Sequence, residues 1–236
     1  MLKVDLHIHT AEDPMDSHFK HDARQLIDRA SELGFDVISI TNHCKVTYTP
    51  ELGRYARQRH VTLIPGCEAM IEGKHVLLYN ITETERVSIR TFDDLRRLKA
   101  IRGKTMLVLA PHPGFPSKSS LRRRQVGGNA DIFDAIERSQ YGNGFLNLNR
   151  QAYRHSRRLD KPLVATSDAH SFRFFGNQYS FVDGQRSVQG VMDAVREGRV
   201  RSVVGRLGIR DVLHLSRHTL TMRLRRLLGL PSRKAF

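Results

Sequence analysis

The 236-residue chain predicts an α/β protein whose mainly parallel sheet is covered on its outside and closed, or distorted, into a barrel. Three observations carry this. Strand-like and helix-like stretches alternate through about seven units. The strands are near-continuous apolar runs such as Val37-Ile38-Ser39-Ile40, as buried parallel strands require. Residues capable of chemistry recur where those strands end, as they do at the C-terminal face of a barrel.

The first strand, Lys3 to Thr10, alternates apolar Val4, Leu6 and Ile8 with Asp5, His7 and His9. Period-two alternation sends both imidazoles the same way, so His7 and His9 can share one metal ion, with Asp5 positioned to orient a ring. Asp22 to Leu33 follows at helical spacing, opened by an Asp22/Gln25 capping box and stopped at Gly34. A strand over 35–40, a helix near Pro50 to Gln58 and a strand over 61–64 come next. A hairpin-like turn at Glu72-Gly73-Lys74 introduces His75 to Tyr79. Thr91 and Asp94 cap a helix reaching Ile101, and strands follow at 105–109 and 131–136. A helix over 146–159, a strand over 162–166 and a helix around 188–198 complete the pattern. The stretch Pro113 to Asn129, rich in Gly, Ser and Arg, reads as a loop.

Composition narrows the class. An apolar fraction of 39% with eight spaced prolines suits a globular protein, and no run approaches a membrane span. The first strand starts within a few residues of Met1, leaving no room for a signal peptide. Cys44 and Cys67 make no disulfide framework and read as core thiols, which points to the cytoplasm. A net charge of +15 favours anionic partners: phosphorylated metabolites, nucleic acid or an acidic membrane surface.

The candidate ligands sit at successive strand ends: His43 in Thr41-Asn42-His43, Glu68 in Pro65-Gly66-Cys67-Glu68, and His75 opening its strand. His112 follows in Ala110-Pro111-His112-Pro113, then Asp168 and His170 in Ser167-Asp168-Ala169-His170. His18, His21, His60, His155, His214 and His218 fall outside this pattern and read as ordinary histidines. Mixed imidazole and carboxylate donors suit Zn²⁺, Mn²⁺ or Fe²⁺ better than Mg²⁺ or Ca²⁺.

These motifs, with Asp5-Leu6-His7-Ile8-His9-Thr10, occur in the order found in the PHP (polymerase and histidinol phosphatase) superfamily, which residues 1–205 resemble. The resemblance implies a distorted (β/α)7 TIM-like barrel holding two to three divalent ions and hydrolysing phosphoesters, with His7, His9, Glu68, Asp168 and His170 as the catalytic set. It assigns His7, His9, Glu68 and Asp168 to a first ion, and Glu68, His75 and His112 to a second, with Glu68 bridging. A third goes to His43 and His170 with one residue of the loop after the first strand. In that loop the family's position falls on Pro14 and Met15, between Asp13 and Asp16; Met15-Asp16-Ser17 is closest to the family pattern. Asn42 stands where many relatives have Asp. Cations for substrate phosphate are expected at Arg173 and Arg138, and at Lys118 or Arg122 to Arg124. The pair Phe174-Phe175 reads equally as base-stacking platform or core.

The expected substrate is a phosphorylated small molecule or a short nucleotide end. The alternatives are an exonuclease acting on RNA or DNA ends and a non-catalytic PHP-like module. Residues 206–236 form a basic amphipathic segment in which Leu213, Leu220, Leu224, Leu227 and Leu228 share a helical face. It reads as a helix packed on the barrel, or as a weak nucleic-acid or anionic-surface binder.

Overall fold

The computed structural model describes residues 1–15, 21–140 and 148–205. Asp16 and the basic segment 206–236 lie outside them. The elements run β1 (Leu2–Ile8), α1 (Ala23–Glu32), β2 (Val37–Ile40), α2 (Pro50–Gln58), β3 (Thr62–Ile71), β4 (Lys74–Tyr79), α3 (Glu83–Ser88) and α4 (Phe92–Arg102). Then come β5 (Leu107–Ala110), α5 (Arg123–Gly128), β6 (Ala135–Ser139), α6 (Arg150–Leu159), β7 (Leu163–Thr166), β8 (Tyr179–Val182), α7 (Val188–Arg196) and β9 (Val200–Val203).

Local chemistry sets these boundaries. Asp22 accepts from the Gln25 backbone N–H at 2.9 Å, and the Gln25 side chain accepts from the Asp22 N–H at 3.0 Å, completing the expected capping box. Thr91 and Asp94 do the same for α4. Gly34 takes φ +69° just past α1 and stops it.

All strands join one sheet in the order β7-β6-β5-β4-β3-β2-β1-β8-β9. An isolated parallel bridge between Ile8 and Ala169, with the His9 N–H donating to the Ala169 carbonyl at 3.1 Å, brings β1 back against the end of β7. The result is a nearly closed, distorted barrel of seven strands.

The sheet departs from the expected parallel pattern in two places. β1-β2-β3 and β5-β6-β7 are parallel, but β4 runs antiparallel to both neighbours. The cause is the two-residue turn Glu72-Gly73, with φ +48° and +72°, whose left-handed geometry suits a tight hairpin. β8 and β9 are added antiparallel beside the start of β1, with Leu2 opposite Val182.

Inside the barrel, Ile64, Leu77, Tyr79, Leu107, Leu109, Ala135 and Val164 pack in one cluster with Val191, Met192 and Val195 of α7. Side chains of α7 bond the carbonyls of Lys104 and Met106, just ahead of β5, so α7 closes the barrel at the N-terminal ends of its parallel strands. The opposite rim stays open for polar residues. Phe174 and Phe175 are buried beside α1, Phe175 stacking on Phe35 at 4.9 Å, so they belong to the core. Among the described residues, no helix is long and apolar enough to cross a membrane.

Candidate metal centre

The open rim gathers one or two donors from almost every strand. His7 lies in β1 and His9 just past it, on one side as alternation requires. His43 follows β2 and pairs with Glu68 of β3 through a parallel bridge. His75 opens β4; because β4 is reversed, its beginning lies at the rim where the parallel strands end. His112 follows β5, Glu137 lies in β6, and Asp168 and His170 follow β7.

Hydrogen bonds fix the tautomers. His7 Nδ1 donates to Glu137 Oε1 at 2.7 Å, and His9 Nδ1 donates to Asp13 Oδ2 at 2.9 Å. An ionised carboxylate only accepts, so each Nδ1 carries a proton and each neutral ring presents a lone pair at Nε2. Those two Nε2 atoms face each other at 3.0 Å. Asp168 Oδ1 lies 3.4 Å from both, and Glu68 Oε2 3.6 Å from both. Four electron-rich atoms so close need a cation or protons among them. Donors about 2.1 Å from a common transition-metal ion stand roughly 3.0–3.4 Å apart, the spacing found here.

Glu68 serves both sides. Its Oε1 lies 2.8 Å from His75 Nδ1 and 3.1 Å from His112 Nε2, while its Oε2 lies 3.0 Å from His43 Nε2. The His75 contact is close but lacks hydrogen-bond geometry, leaving a buried ring nitrogen aimed at a carboxylate without a bond. Two ligands of one ion are disposed in this way. Among the described residues, three donor groups form: His7-His9-Asp168, His9-His43-Glu68 and Glu68-His75-His112.

The first two expected ligand sets are thus brought together and the third is not. His43 joins His9 and Glu68, whereas His170 packs its ring against His9, centres 4.5 Å apart, and enters none of the three donor groups. His170 Nδ1 donates to the Asp168 carbonyl at 2.8 Å, and its ring centre is 6.5 Å from that of His43. Asp13, one of the two candidates for the loop position, lies behind the rings. Its Oδ2 accepts from Nδ1 of both His9 and His43 and from the His43 backbone N–H, so it braces two ligands from behind. Its Oδ1 accepts from the Met15 N–H at 2.8 Å, so Asp13 also has a turn role, as an aspartate before proline commonly does.

The expected phosphate cations scatter. Arg173 is exposed just beyond His170. Arg138 points away from the donor rim: alternation along β6 turns Glu137 inward and Arg138 outward, over the Tyr153 ring at 5.2 Å. Arg122 braces the loop after His112 by donating to the carbonyls of Phe115 and Ser117.

Glu137 is the functional residue that sequence reasoning missed. Fully buried, it holds His7 Nδ1 with one oxygen, on which Thr166 also donates, and the His112 backbone N–H with the other at 2.6 Å. The available signal was a lone carboxylate inside the otherwise inward apolar face of β6. Asp5 orients no ring; its Oδ1 accepts from the backbone N–H groups of His7 and Ser167. His21 donates to the His9 carbonyl at 3.1 Å, a structural contact.

Electrostatics follow from this crowding. Burial pushes the Asp5 carboxyl up to about 7. Burial disfavours the His43 cation, but Asp13 and Glu68 outweigh it and raise the ring to about 10. Burial opposes charge on Glu68 as well, yet His75, His7, His112 and His43 hold it well below the carboxylate range. Two site residues hold strained backbone: His112 takes φ +28° and Asp168 φ +48°.

Clustered His and carboxylate donors at the open rim of the barrel make a site that could hold metal ions. Residues 5–156 match the family model of the PHP domain, and residues 147–200 match that of the PHP-associated family. The chain belongs to the PHP domain family. Among solved structures, PsfC from Pseudomonas syringae is 17% identical, with 93% of this chain and 98% of that one covered at a TM-score of 0.64. A candidate metal-dependent phosphoesterase from Bifidobacterium adolescentis is 15% identical, covering 82% and 94% at 0.56. An amidohydrolase from Chromobacterium violaceum is 14% identical, covering 84% and 97% at 0.54. No curated protein matches the chain.

Proposed function

We propose that the chain hydrolyses phosphoester bonds of small phosphorylated molecules or short nucleotide ends, at a centre holding two or three Zn²⁺, Mn²⁺ or Fe²⁺ ions. The supporting observation is Glu68, whose two oxygens each serve a different donor group within 3.6 Å. His7, His9 and Asp168 would hold one ion with Glu68, and His75 and His112 a second with its other oxygen. A third would fall to His43 with His9 and Glu68. Such ions, when bound, lower the pKa of water towards neutrality and offset charge on phosphoryl oxygens.

The protein's own groups do the rest. Asp13 and Glu137 keep the Nδ1 protons of His9, His43 and His7 in place, so the donor atoms point at the centre without reorganising. His170 has its Nδ1 proton committed to the Asp168 carbonyl, and its side chain is one-third exposed at the mouth. As the imidazolium, with a second proton on Nε2, it is the group we assign to protonating the leaving oxygen, which returns it to the neutral Nδ1–H form. Arg173, exposed beside it, is assigned to substrate phosphate. Two free cysteines favour a reducing cytoplasm. The basic segment 206–236 is assigned a weak, salt-dependent attraction for nucleic acid.

A phosphoester panel on protein purified without chelator tests this reading. Phosphomonoesters and short nucleotides should turn over, with activity lost in Asp168→Ala and retained in His214→Ala. Processive digestion of long RNA without phosphomonoester turnover would replace it with the nuclease reading.

A further inference from the structure

Helices α5 and α6 pack together on the outside of the barrel around a cavity of about 440 Å³ lined by Arg123, Gln151, Arg154, His155 and Arg158. A second hollow of about 650 Å³ shares Arg123, His155 and Arg158 and extends past Arg124 and Gly127. Helical periodicity explains the wall: positions 151, 154, 155 and 158 fall on one face of α6. The cavity is separate from the metal centre, because α6 lies behind β6 and Glu137 points the other way. Its nearest link to the centre is Gln151, packed on Gly114, where an added Cβ would meet Gln151 Cγ at 2.6 Å.

Charge sets this surface apart. Among the described residues, many helix arginines elsewhere are matched with acids, as in Arg29–Glu32, Arg54–Glu51 and Arg86–Glu83, and those that are not, Arg24 and Arg57, do not share a hollow. Arg123, Arg124, Arg154 and Arg158 have no carboxylate partner among the described residues. Guanidinium groups gathered round one hollow repel one another unless an anion lies between them. The second observation is independent: His155 is only 5% exposed, and its Nε2 is buried without a hydrogen-bond partner. A buried polar atom without a partner in the protein is one that a ligand can satisfy.

We infer that the α5–α6 cavity is a binding site for a compact polyphosphate anion, gripped by Arg123, Arg154 and Arg158 with His155 Nε2 as the buried contact. Guanidinium forks match phosphate oxygens in pairs. The volume suits a small molecule. The lining holds no Phe, Tyr or Trp, so it offers none of the stacking platforms that single-stranded nucleic acid uses. Burial, then Arg123 and Arg158, lower the His155 pKa, and a bound anion would counter that effect.

The test is calorimetric titration of the full chain with methylenediphosphonate, a diphosphate that cannot be hydrolysed, and in parallel with ADP. Arg154→Gln/Arg158→Gln, two exposed positions whose fold is checked by a circular-dichroism melt, should weaken one binding event at least tenfold. The same variant should leave phosphomonoester turnover unchanged. His9→Ala should leave that event intact, which separates it from diphosphonate at the metal centre whether or not the centre is catalytic. Equal affinity for methylenediphosphonate and ADP supports recognition through the phosphates. Undiminished binding in the arginine variant overturns the inference. So does a site that holds long RNA but is not competed by the diphosphonate.

Discussion

Asp13 and Glu137 show how single carboxylates decide what the histidines can do. Each takes an Nδ1 proton and so directs an Nε2 lone pair inward. Removing such a partner typically costs 10–100-fold in metal affinity. Asp13→Ala and Glu137→Ala should each lose metal affinity on about that scale, read by competition with a chelator. Wild-type affinity in Asp13→Ala would reduce that residue to its turn role. The sequence placed His7, His9 and Glu68 by alternation and strand ends. It did not place Asp13 behind two rings, because the path of a loop over the rim is a tertiary fact that spacing does not encode.

His43 carries the clearest pH dependence. Its ring pKa is raised to about 10 in the metal-free fold by Asp13 and Glu68, against burial. That cation therefore stabilises the metal-free fold fully below about 6.5, the ordinary imidazole value, and the contribution is lost as pH rises through about 10. A metal ligand must be neutral, so binding at pH 7–9 should release a proton and tighten as pH rises. Calorimetry in buffers of different ionisation enthalpy measures this. Zero proton release across that range would contradict the assignment of His43 as a ligand.

Among the elements, the β3–β4 hairpin does most to shape the site, because it reverses one strand and so brings His75 to the rim. Gly73 has open space around its Cα and φ +72°, so Gly73→Ala should cost about 1 kcal/mol through backbone strain alone. Gly66→Ala should cost more, since its Cβ would collide with Ser39 Oγ and approach the Leu78 carbonyl at 3.2 Å. Urea unfolding measures both; equal, negligible losses would contradict the register. The turn residues were readable in sequence, and so were the capping boxes of α1 and α4, though not that of Thr82 and Glu85 on α3. The reversal of β4 against β5 was not drawn from them, because long apolar strands such as Val76 to Leu78 carry no mark of direction. β8 and β9, four residues each, are too short for a periodic signal to stand out.

At the scale of the whole molecule, the charge of +15 is uneven, with eight Lys or Arg against one acidic residue in 205–236. Polyanion affinity scales with the number of phosphates neutralised. Removing residues 206–236 should therefore weaken RNA retention, and flatten its salt dependence, more than it slows small-ester hydrolysis. Equal losses of both would instead assign that segment to the catalytic barrel.

The proposed function turns on Glu68, which would join two donor groups into one hydrolytic centre. The most direct measurement is metal content per chain by mass spectrometry, with phosphomonoester turnover, for the wild type and Glu68→Ala purified without chelator. Two or three transition-metal ions in the wild type, with ions lost and hydrolysis abolished in Glu68→Ala, is the predicted result. A single ion in the wild type, or full metal content and turnover in Glu68→Ala, would contradict it.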